Sequence, residues 1–120
     1  MAVQAGTYDG GCQCGRVRFT ADLAMDKIVA CNCSRCQKLG SMLTFTPAAK
    51  FALKTGENAL TDYQFNKMRI HHLFCSTCGI ESFARAAGPD GTEMIAVNVR
   101  CLDNVEPDEI TPTKVNGRAF

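Results

Sequence analysis

The chain reads Cys12-Gln13-Cys14-Gly15 near its start and Cys75-Ser76-Thr77-Cys78-Gly79 past its middle. Each motif places two sulfur atoms on one tight turn, a spacing that suits a tetrahedral zinc ion. The glycine after each pair can adopt a positive φ, which lets backbone amides face the thiolates. A structural zinc held there would fasten the start of the chain to its middle. We therefore predict a closed zinc site with the ligands Cys12, Cys14, Cys75 and Cys78.

A third cluster, Cys31-Asn32-Cys33-Ser34-Arg35-Cys36, has a different spacing. Its three cysteines come from one short segment, and three thiolates leave the fourth tetrahedral position of a zinc ion open. Thiolate-rich coordination also lowers the Lewis acidity of zinc, which favours holding a thiolate over producing hydroxide from water. We predict a second, catalytic zinc on Cys31, Cys33 and Cys36, and thus two zinc ions per chain.

The eighth cysteine, Cys101, leaves an alternative open, because it could complete a second closed site with the middle cluster. It follows the apolar segment 95–99, where a lone cysteine is more often a small buried hydrophobic residue than a ligand. The open three-cysteine site is the preferred interpretation.

Disulfide bonds are the main alternative use of eight cysteines. The chain shows neither an N-terminal secretory pattern nor an apolar run of transmembrane length, so we expect a cytoplasmic protein without a membrane partner. Disulfides are rare in the reducing cytosol, and cysteines one or two residues apart are poorly placed to bridge each other. Thioredoxin-like redox chemistry at the C-x-x-C spacing would need a βαβ pattern, which is absent. Metal binding is therefore favoured.

Charge and length limit the remaining classes. The formal net charge of +1 becomes about −2 when seven thiolates bind two Zn²⁺. Lysine and arginine are scattered, whereas nucleic-acid-binding proteins present a clustered basic surface, so we expect no nucleic acid partner. A chain of 120 residues has room for one domain, and bound metal would contribute much of its stability.

Short strands dominate the sequence pattern. Val17, Phe19 and Ala21 alternate with polar residues, which is the period of a strand with one buried face. Ser34–Leu39, closed by Gly40, is long enough for only one or two turns of helix. The first cysteine cluster is predicted on a turn that opens a strand, and the other two at strand ends.

Two hairpins are predicted, with turns at Asn66-Lys67 and at Gly88-Pro89-Asp90-Gly91. From Asp103 onward, the proline-bearing tail is predicted to pack as loop over the sheet edges. These patterns indicate a mainly β fold, with further strands over 28–30, 42–46, 51–54, 60–65, 68–74, 80–85 and 93–99.

The series C-x-C-G, C-x-C-x-x-C and F-C-x-x-C-G, in this order and at these separations, resembles the glutathione-dependent formaldehyde-activating enzyme family, whose domain also occurs in centromere protein V. The resemblance covers about residues 8–118, including Arg100-Cys101-Leu102-Asp103. It implies one domain over residues 1–120, built of small stacked antiparallel sheets and sometimes called a β-tent. By resemblance, the family's structural zinc ligands match Cys12, Cys14, Cys75 and Cys78, and the ligands of its catalytic zinc match Cys31, Cys33 and Cys36.

The resemblance also implies an activity, the joining of formaldehyde to glutathione as S-hydroxymethylglutathione, which is classed as a carbon–sulfur lyase reaction. Glutathione would be the co-substrate, and the partner a thiol adduct of formaldehyde or a small aldehyde. Asn32 stands where many members have histidine, which keeps the ligands intact but puts a proton-transfer role at this position in doubt. The alternative function is a non-catalytic, zinc-stapled module that binds glutathione or a protein.

Several other side chains near the clusters carry expectations. His71 and His72 precede Cys75 and should face opposite sides of their strand, where either is more often a structural group than a proton donor. The aromatic residues Phe45, Tyr63, Phe65, Phe74 and Phe83 are predicted to be core. Polar residues flanking the middle cluster could hold the carboxylates or amides of glutathione, although most such groups simply solvate a surface: Ser34, Arg35, Gln37 and Lys38.

Overall fold

A computed structural model describes residues 4–119. Among them is one α-helix, α1 (Ser34–Leu39), and several single turns of 3₁₀ helix connect the strands. No helix in this part of the chain is long and apolar enough to cross a membrane. The strands are β1 (Gly6–Gly11), β2 (Arg18–Leu23), β3 (Val29–Cys31), β4 (Leu43–Pro47), β5 (Phe51–Thr55), β6 (Leu60–Tyr63), β7 (His71–Cys75), β8 (Phe83–Ala87), β9 (Glu93–Asn98) and β10 (Thr113–Val115).

The strands form two sheets, which confirms the mainly β prediction. The smaller sheet has the order β1-β2-β5, and the larger has the order β10-β3-β4-β9-β8-β7-β6. Neighbouring strands are antiparallel throughout, except that β10 runs parallel to β3.

The hydrophobic core lies between the two sheets. The alternation predicted for β2 is present, since Phe19 and Ala21 are each 1% exposed while their neighbours are more accessible. The ring of Phe19 stacks on Phe51 at a centroid distance of 5.1 Å and meets Phe83 edge-on at 6.1 Å. Such aromatic contacts add to the area burial that stabilises the core. This three-ring contact joins β2 and β5 of one sheet to β8 of the other.

The prediction that five aromatic residues lie in the core is correct for Phe83 and wrong for two others. Phe45 is 48% exposed and Tyr63 is 45% exposed. On β4 the buried residues are Thr44 and Thr46, whose hydroxyls donate to the carbonyl oxygens of Lys27 and Asp22 at 3.0 and 2.8 Å. Because side chains alternate along a strand, burying these threonines turns Phe45 to the opposite face.

The strand β1 was missed because its sequence, Gly6-Thr7-Tyr8-Asp9-Gly10-Gly11, has no apolar alternation. It pairs with β2 along its whole length, from Gly6 opposite Leu23 to Gly11 opposite Arg18. A side chain at Gly11 would collide with the backbone, since its Cβ would lie 2.0 Å from the Val17 carbonyl oxygen. The absence of a side chain at Gly11 therefore allows this close approach of the backbone, which the hydrophobic periodicity of the sequence does not reveal.

Two other boundaries differ from expectation. The prediction of a purely looped tail is wrong, because β10 pairs with β3 over Thr113–Val115. The first predicted hairpin exists, but its pairing ends at Tyr63 opposite His72, not at the expected Asn66-Lys67 turn. Asn66 and Met68 both have φ of 57°, in the left-handed region, which is incompatible with continuing a strand.

Replacing Phe19 by alanine should lower the free energy of unfolding by about 3–5 kcal/mol, the usual cost of deleting a buried aromatic ring. The matched control is Phe45→Ala, which removes the same ring from a half-exposed position and should change stability by only about 0.5 kcal/mol. Urea unfolding at a fixed excess of zinc measures both, because a bound ligand adds to apparent stability. Equal losses in the two variants would contradict the assignment of the core.

Candidate metal centres

The first and third cysteine clusters meet at one place in the structure. The sulfur atoms of Cys12, Cys14, Cys75 and Cys78 all lie within 4.8 Å of one another. The Cys14 sulfur is 3.6 Å from that of Cys12 and 3.7 Å from that of Cys75. Sulfurs at about 2.3 Å from a tetrahedral zinc are about 3.8 Å apart, so this donor set fits the ion. All eight cysteines are free thiols, so no disulfide competes for them.

Backbone amides face the sulfurs of this four-cysteine site. The amide of Val17 donates to the Cys12 sulfur at 3.3 Å, and that of Thr77 donates to the Cys75 sulfur at 3.4 Å. A hydrogen bond from the Ile80 amide lowers the pKa of Cys78 to about 6. Hydrogen bonds to a thiolate stabilise the form that binds metal. A backbone hydrogen bond from Arg16 favours the thiolate of Cys14 as well, but desolvation and the neighbouring sulfurs leave its pKa raised to about 11.

The two glycines that end these motifs adopt the predicted conformation. Gly15 has φ of 85° and Gly79 has φ of 82°. A Cβ at either position would meet nothing within 4 Å. Glycine is therefore favoured by the positive φ of the backbone and not by a lack of space. The side chains of Arg16 and Thr77 join the two turns directly, through a 3.1 Å hydrogen bond from Nε to Oγ1.

The middle cluster forms a second group. The sulfurs of Cys31, Cys33 and Cys36 lie within 4.8 Å of one another, between the end of β3 and the start of α1. Cys33 is the N-terminal cap of α1, and its sulfur accepts a 3.3 Å hydrogen bond from the Cys36 amide. Burial opposes ionisation of Cys33, but hydrogen bonds from Cys36 and its neighbours leave its pKa lowered. The helix ends at Gly40 as predicted, with φ of 69°.

Cys101 does not join this group. Its sulfur lies 3.9 Å from the Glu81 carbonyl oxygen, and burial raises its pKa to about 11. Its sulfur is not among the three of the middle cluster that lie within 4.8 Å of one another. Cys101 is therefore placed as a partly buried apolar residue, and the middle cluster consists of three cysteines.

The C-terminal segment encloses the three-cysteine cluster, a feature that the sequence patterns did not reveal. Asn32 anchors the segment: its Nδ2 donates to the Asn116 side chain at 3.0 Å, and its Oδ1 accepts from the Arg118 amide at 3.2 Å. The Arg118 side chain also donates to the Asn32 carbonyl oxygen at 2.8 Å and to the side chain of Gln37. Asn32 therefore has a structural task at the position where a proton-transfer role was in doubt.

A cleft of about 390 Å³ opens beside the three-cysteine cluster. Its lining includes two of the three cysteines, Cys31 and Cys36, together with Ser41, Arg100 and Asp108. A cleft of this size, lined by groups that can bind metal, is the normal setting of a small-molecule site. A second cleft, of about 520 Å³, lies along residues 53–59 and contains no cysteine.

The polar residues expected to contact glutathione are partly occupied elsewhere. The Arg35 guanidinium pairs with Glu81 at 2.8 Å, whereas Gln37 lines the cleft and accepts a hydrogen bond from Arg118. Ser34 and Lys38 are exposed on α1.

The two histidines face opposite sides of β7, as predicted from the strand period. His71 pairs with the Asp62 carboxylate at 2.6 Å, whereas His72 is buried beside Glu81. Both therefore lie against other protein side chains, and neither borders the cleft.

Replacing Gly117 by alanine should remove metal from the three-cysteine cluster alone, because the added Cβ would lie 2.2 Å from the Cys31 sulfur. The zinc content of the folded variant, measured by metal analysis, should fall from two ions per chain to about one. The control is Gly6→Ala, whose Cβ would meet nothing nearer than 3.9 Å. Two tightly held zinc ions in Gly117→Ala would contradict this packing.

Comparison with known proteins agrees with the geometry. Residues 7–116 match the sequence model of the family described as glutathione-dependent formaldehyde-activating enzyme. A crystal structure of a Rhodobacter sphaeroides protein superimposes with a TM-score of 0.79 at 29% sequence identity, covering 88% of this chain and 97% of that one. The resemblance inferred from the cysteine motifs is confirmed, and the chain belongs to the family of glutathione-dependent formaldehyde-activating enzymes.

Proposed function

We propose that the protein is a carbon–sulfur lyase-type enzyme that forms and cleaves a glutathione adduct of formaldehyde or a small aldehyde. In the forward direction the thiol sulfur bonds to the carbonyl carbon, the carbonyl oxygen gains a proton, and the thiol loses one. One domain would perform this reaction with two zinc ions, in the cytoplasm, where thiols are kept reduced. The observation that carries the proposal is the three-cysteine cluster beside a cleft, with Cys101 outside it.

The two cysteine groups would have separate tasks. Cys12, Cys14, Cys75 and Cys78 would hold a structural zinc, since four ligands leave no position for a substrate. A zinc ion on Cys31, Cys33 and Cys36 would favour the thiolate form of a bound substrate thiol. The amide hydrogen bonds to Cys31 and Cys33 keep these sulfurs oriented toward one another.

Arg100 is the residue of the cleft best suited to a carboxylate of glutathione. A guanidinium can bind a carboxylate with two parallel hydrogen bonds. Its Nε donates to the Gly40 carbonyl oxygen at 3.0 Å, which anchors the side chain beside the end of α1. Arg35, one of the four residues that the sequence offered for such a contact, is instead paired with Glu81.

We assign protonation of the adduct's oxygen to water. The cleft is open at the protein surface, and neither His71 nor His72 borders it. His71 is instead held by Asp62. Water that enters the open cleft would supply the proton to the adduct's oxygen, and no side chain of this chain is assigned as the acid.

Replacing Cys33 by serine should give a folded protein that holds one zinc ion and has lost the exchange of formaldehyde with glutathione. A hydroxyl is a much poorer zinc ligand than a thiolate. Cys101→Ala is the matched control and should keep both zinc ions and full activity. Metal analysis and exchange NMR of glutathione with formaldehyde measure the two properties. Loss of one zinc in Cys101→Ala would instead make the second site closed.

Glutathione should change the visible spectrum of protein loaded with two cobalt ions. A fourth sulfur can join three thiolates, which strengthens the sulfur-to-cobalt charge-transfer band, but it cannot join four thiolates without displacing one. Cys33→Ser protein with one cobalt should not respond. An unchanged spectrum in doubly loaded protein would contradict thiol activation and favour the alternative of a non-catalytic module.

A further inference from the structure

A buried ion pair lies between the two cysteine groups. The Glu81 side chain is only 8% exposed, and its Oε1 accepts hydrogen bonds from Arg35 Nε at 3.1 Å and Nη2 at 2.8 Å. Acidic side chains are rarely buried to this extent, because a carboxylate loses its hydration. A buried ion pair often contributes little net stability compared with apolar residues. Its main effect is then to hold the Arg35 and Glu81 side chains in one relative position.

Arg35 and Glu81 lie in segments that carry different cysteine groups. Arg35 lies on α1 between the ligands Cys33 and Cys36, whereas Glu81 follows the ligand Cys78 by three residues. The two charged residues are 46 positions apart in sequence. The ion pair is thus a direct side-chain link from the turn of the four-cysteine site to the helix of the three-cysteine site.

The other strand entering the four-cysteine site also reaches Glu81. His72 precedes Cys75 by three residues, is 6% exposed, and places Nδ1 3.6 Å from Glu81 Oε2. Phe65 stacks on the His72 ring at 5.1 Å and limits its movement. The segments before and after Cys75 and Cys78 therefore converge on one carboxylate.

Both ends of the link are held from other directions. The Glu81 carbonyl oxygen accepts from Asn98 Nδ2 at 3.1 Å, at the end of β9. The Arg35 guanidinium lies over the ring of Tyr63 at 4.7 Å and near that of Phe74 at 5.9 Å. A guanidinium that is paired and stacked on aromatic rings is fixed in orientation. Movement of the turn near Cys78 would therefore be passed to α1 instead of being absorbed by a flexible side chain.

We propose that Glu81 is a positioning residue through which metal binding at the four-cysteine site organises the three-cysteine site. Metal at the first site fixes the turn that carries Glu81, and Glu81 holds Arg35 so that Cys33 and Cys36 face Cys31. Binding at the two sites is then cooperative, and the effect is reciprocal because both are equilibria of one molecule. The inference rests on the proposed function in taking both cysteine groups as zinc sites and the three-cysteine site as the reactive one.

The consequence is an order of loading. The four-cysteine site binds first, and the three-cysteine site gains affinity once the turn is fixed. Coupling between sites in proteins commonly changes affinity by about 5–150-fold. A loss of about tenfold or more at the second site is therefore the expected effect of cutting the link.

The test is the zinc affinity of each site in Glu81→Gln, measured by competition with a chromophoric chelator. This variant keeps the shape of the side chain and removes its charge. We expect affinity at the three-cysteine site, measured with the four-cysteine site filled, to fall about tenfold, while the affinity of the four-cysteine site, measured with the three-cysteine site empty, is unchanged. The control is Glu93→Gln, which cuts an exposed ion pair with Arg85 and should change neither site.

Arg35→Leu cuts the same link from the helix side and keeps the test decisive if Glu81→Gln folds poorly. In the double variant, the loss at the second site should be no larger than in either single variant, because both remove one interaction. Arg35→Lys should restore only part of the affinity, since an ammonium cannot reproduce the two-pronged contact.

Unchanged affinity at the three-cysteine site in either single variant would overturn the proposal. An equal loss at the four-cysteine site, measured with the three-cysteine site empty, would also overturn it, because Glu81 would then support the fold in general. The measurement uses zinc and chelator without glutathione, so it is independent of the cobalt experiment. A protein that does not respond to glutathione would disprove the proposed function and leave the coupling between the sites intact.

Discussion

The convergence of four sulfur atoms from two distant turns is the constraint on which the rest of the structure depends. Cys14 and Cys75 are 61 residues apart in sequence, yet their sulfurs are 3.7 Å apart. Four thiolates at such distances repel one another unless a cation neutralises them. The binding free energy of a structural zinc, about 10 kcal/mol or more, matches or exceeds the stability of a typical small domain. Zinc bound at this site would therefore be coupled to folding.

The four-cysteine site lies where strands of both sheets end. Cys12 follows β1, and Cys75 is the last residue of β7, so the turn joining β1 and β2 of the smaller sheet lies against one end of a strand in the larger. The two sheets then close over the ring of Phe19 and its aromatic neighbours. Sheet packing alone leaves much of the larger sheet's outer face accessible, as the exposure of Phe45 and Tyr63 shows. A metal ion on the four cysteines would supply a cross-connection of the kind that a larger core provides.

The three-cysteine cluster illustrates a different balance of local and distant interactions. One hexapeptide supplies its sulfurs, and the first turn of α1 orients them through hydrogen bonds from their own backbone. Its surroundings come from far along the chain, because Gly117 and Arg118 enclose it on one side and the Glu81–Arg35 pair holds the helix on the other. The three sulfurs therefore come from one short segment, whereas the contacts that hold this segment in place come from several distant parts of the chain.

The sequence alone determined which cysteines form the two groups that could bind metal, and the class of the fold. Cysteine spacing is a local property, so the two groups of ligands, the glycines at positive φ and the short helix after Cys33 could all be predicted from neighbouring residues. Local periodicity likewise revealed the strand around Phe19, whose buried face alternates cleanly. The family assignment followed from the order of the same motifs.

Only the tertiary structure decided the features that depend on partners distant in sequence. The strands β1 and β10 are held by pairing to neighbours, and their own residues carry no apolar alternation that would identify them. The outward turn of Phe45 follows from threonine hydroxyls that find carbonyl oxygens on other segments. The contact of Gly117 with Cys31 and the ion pair of Glu81 with Arg35 each join residues 46 or more positions apart. Spacing within a motif cannot encode such contacts, because they arise from the way the sheets and the metal-binding turns pack together.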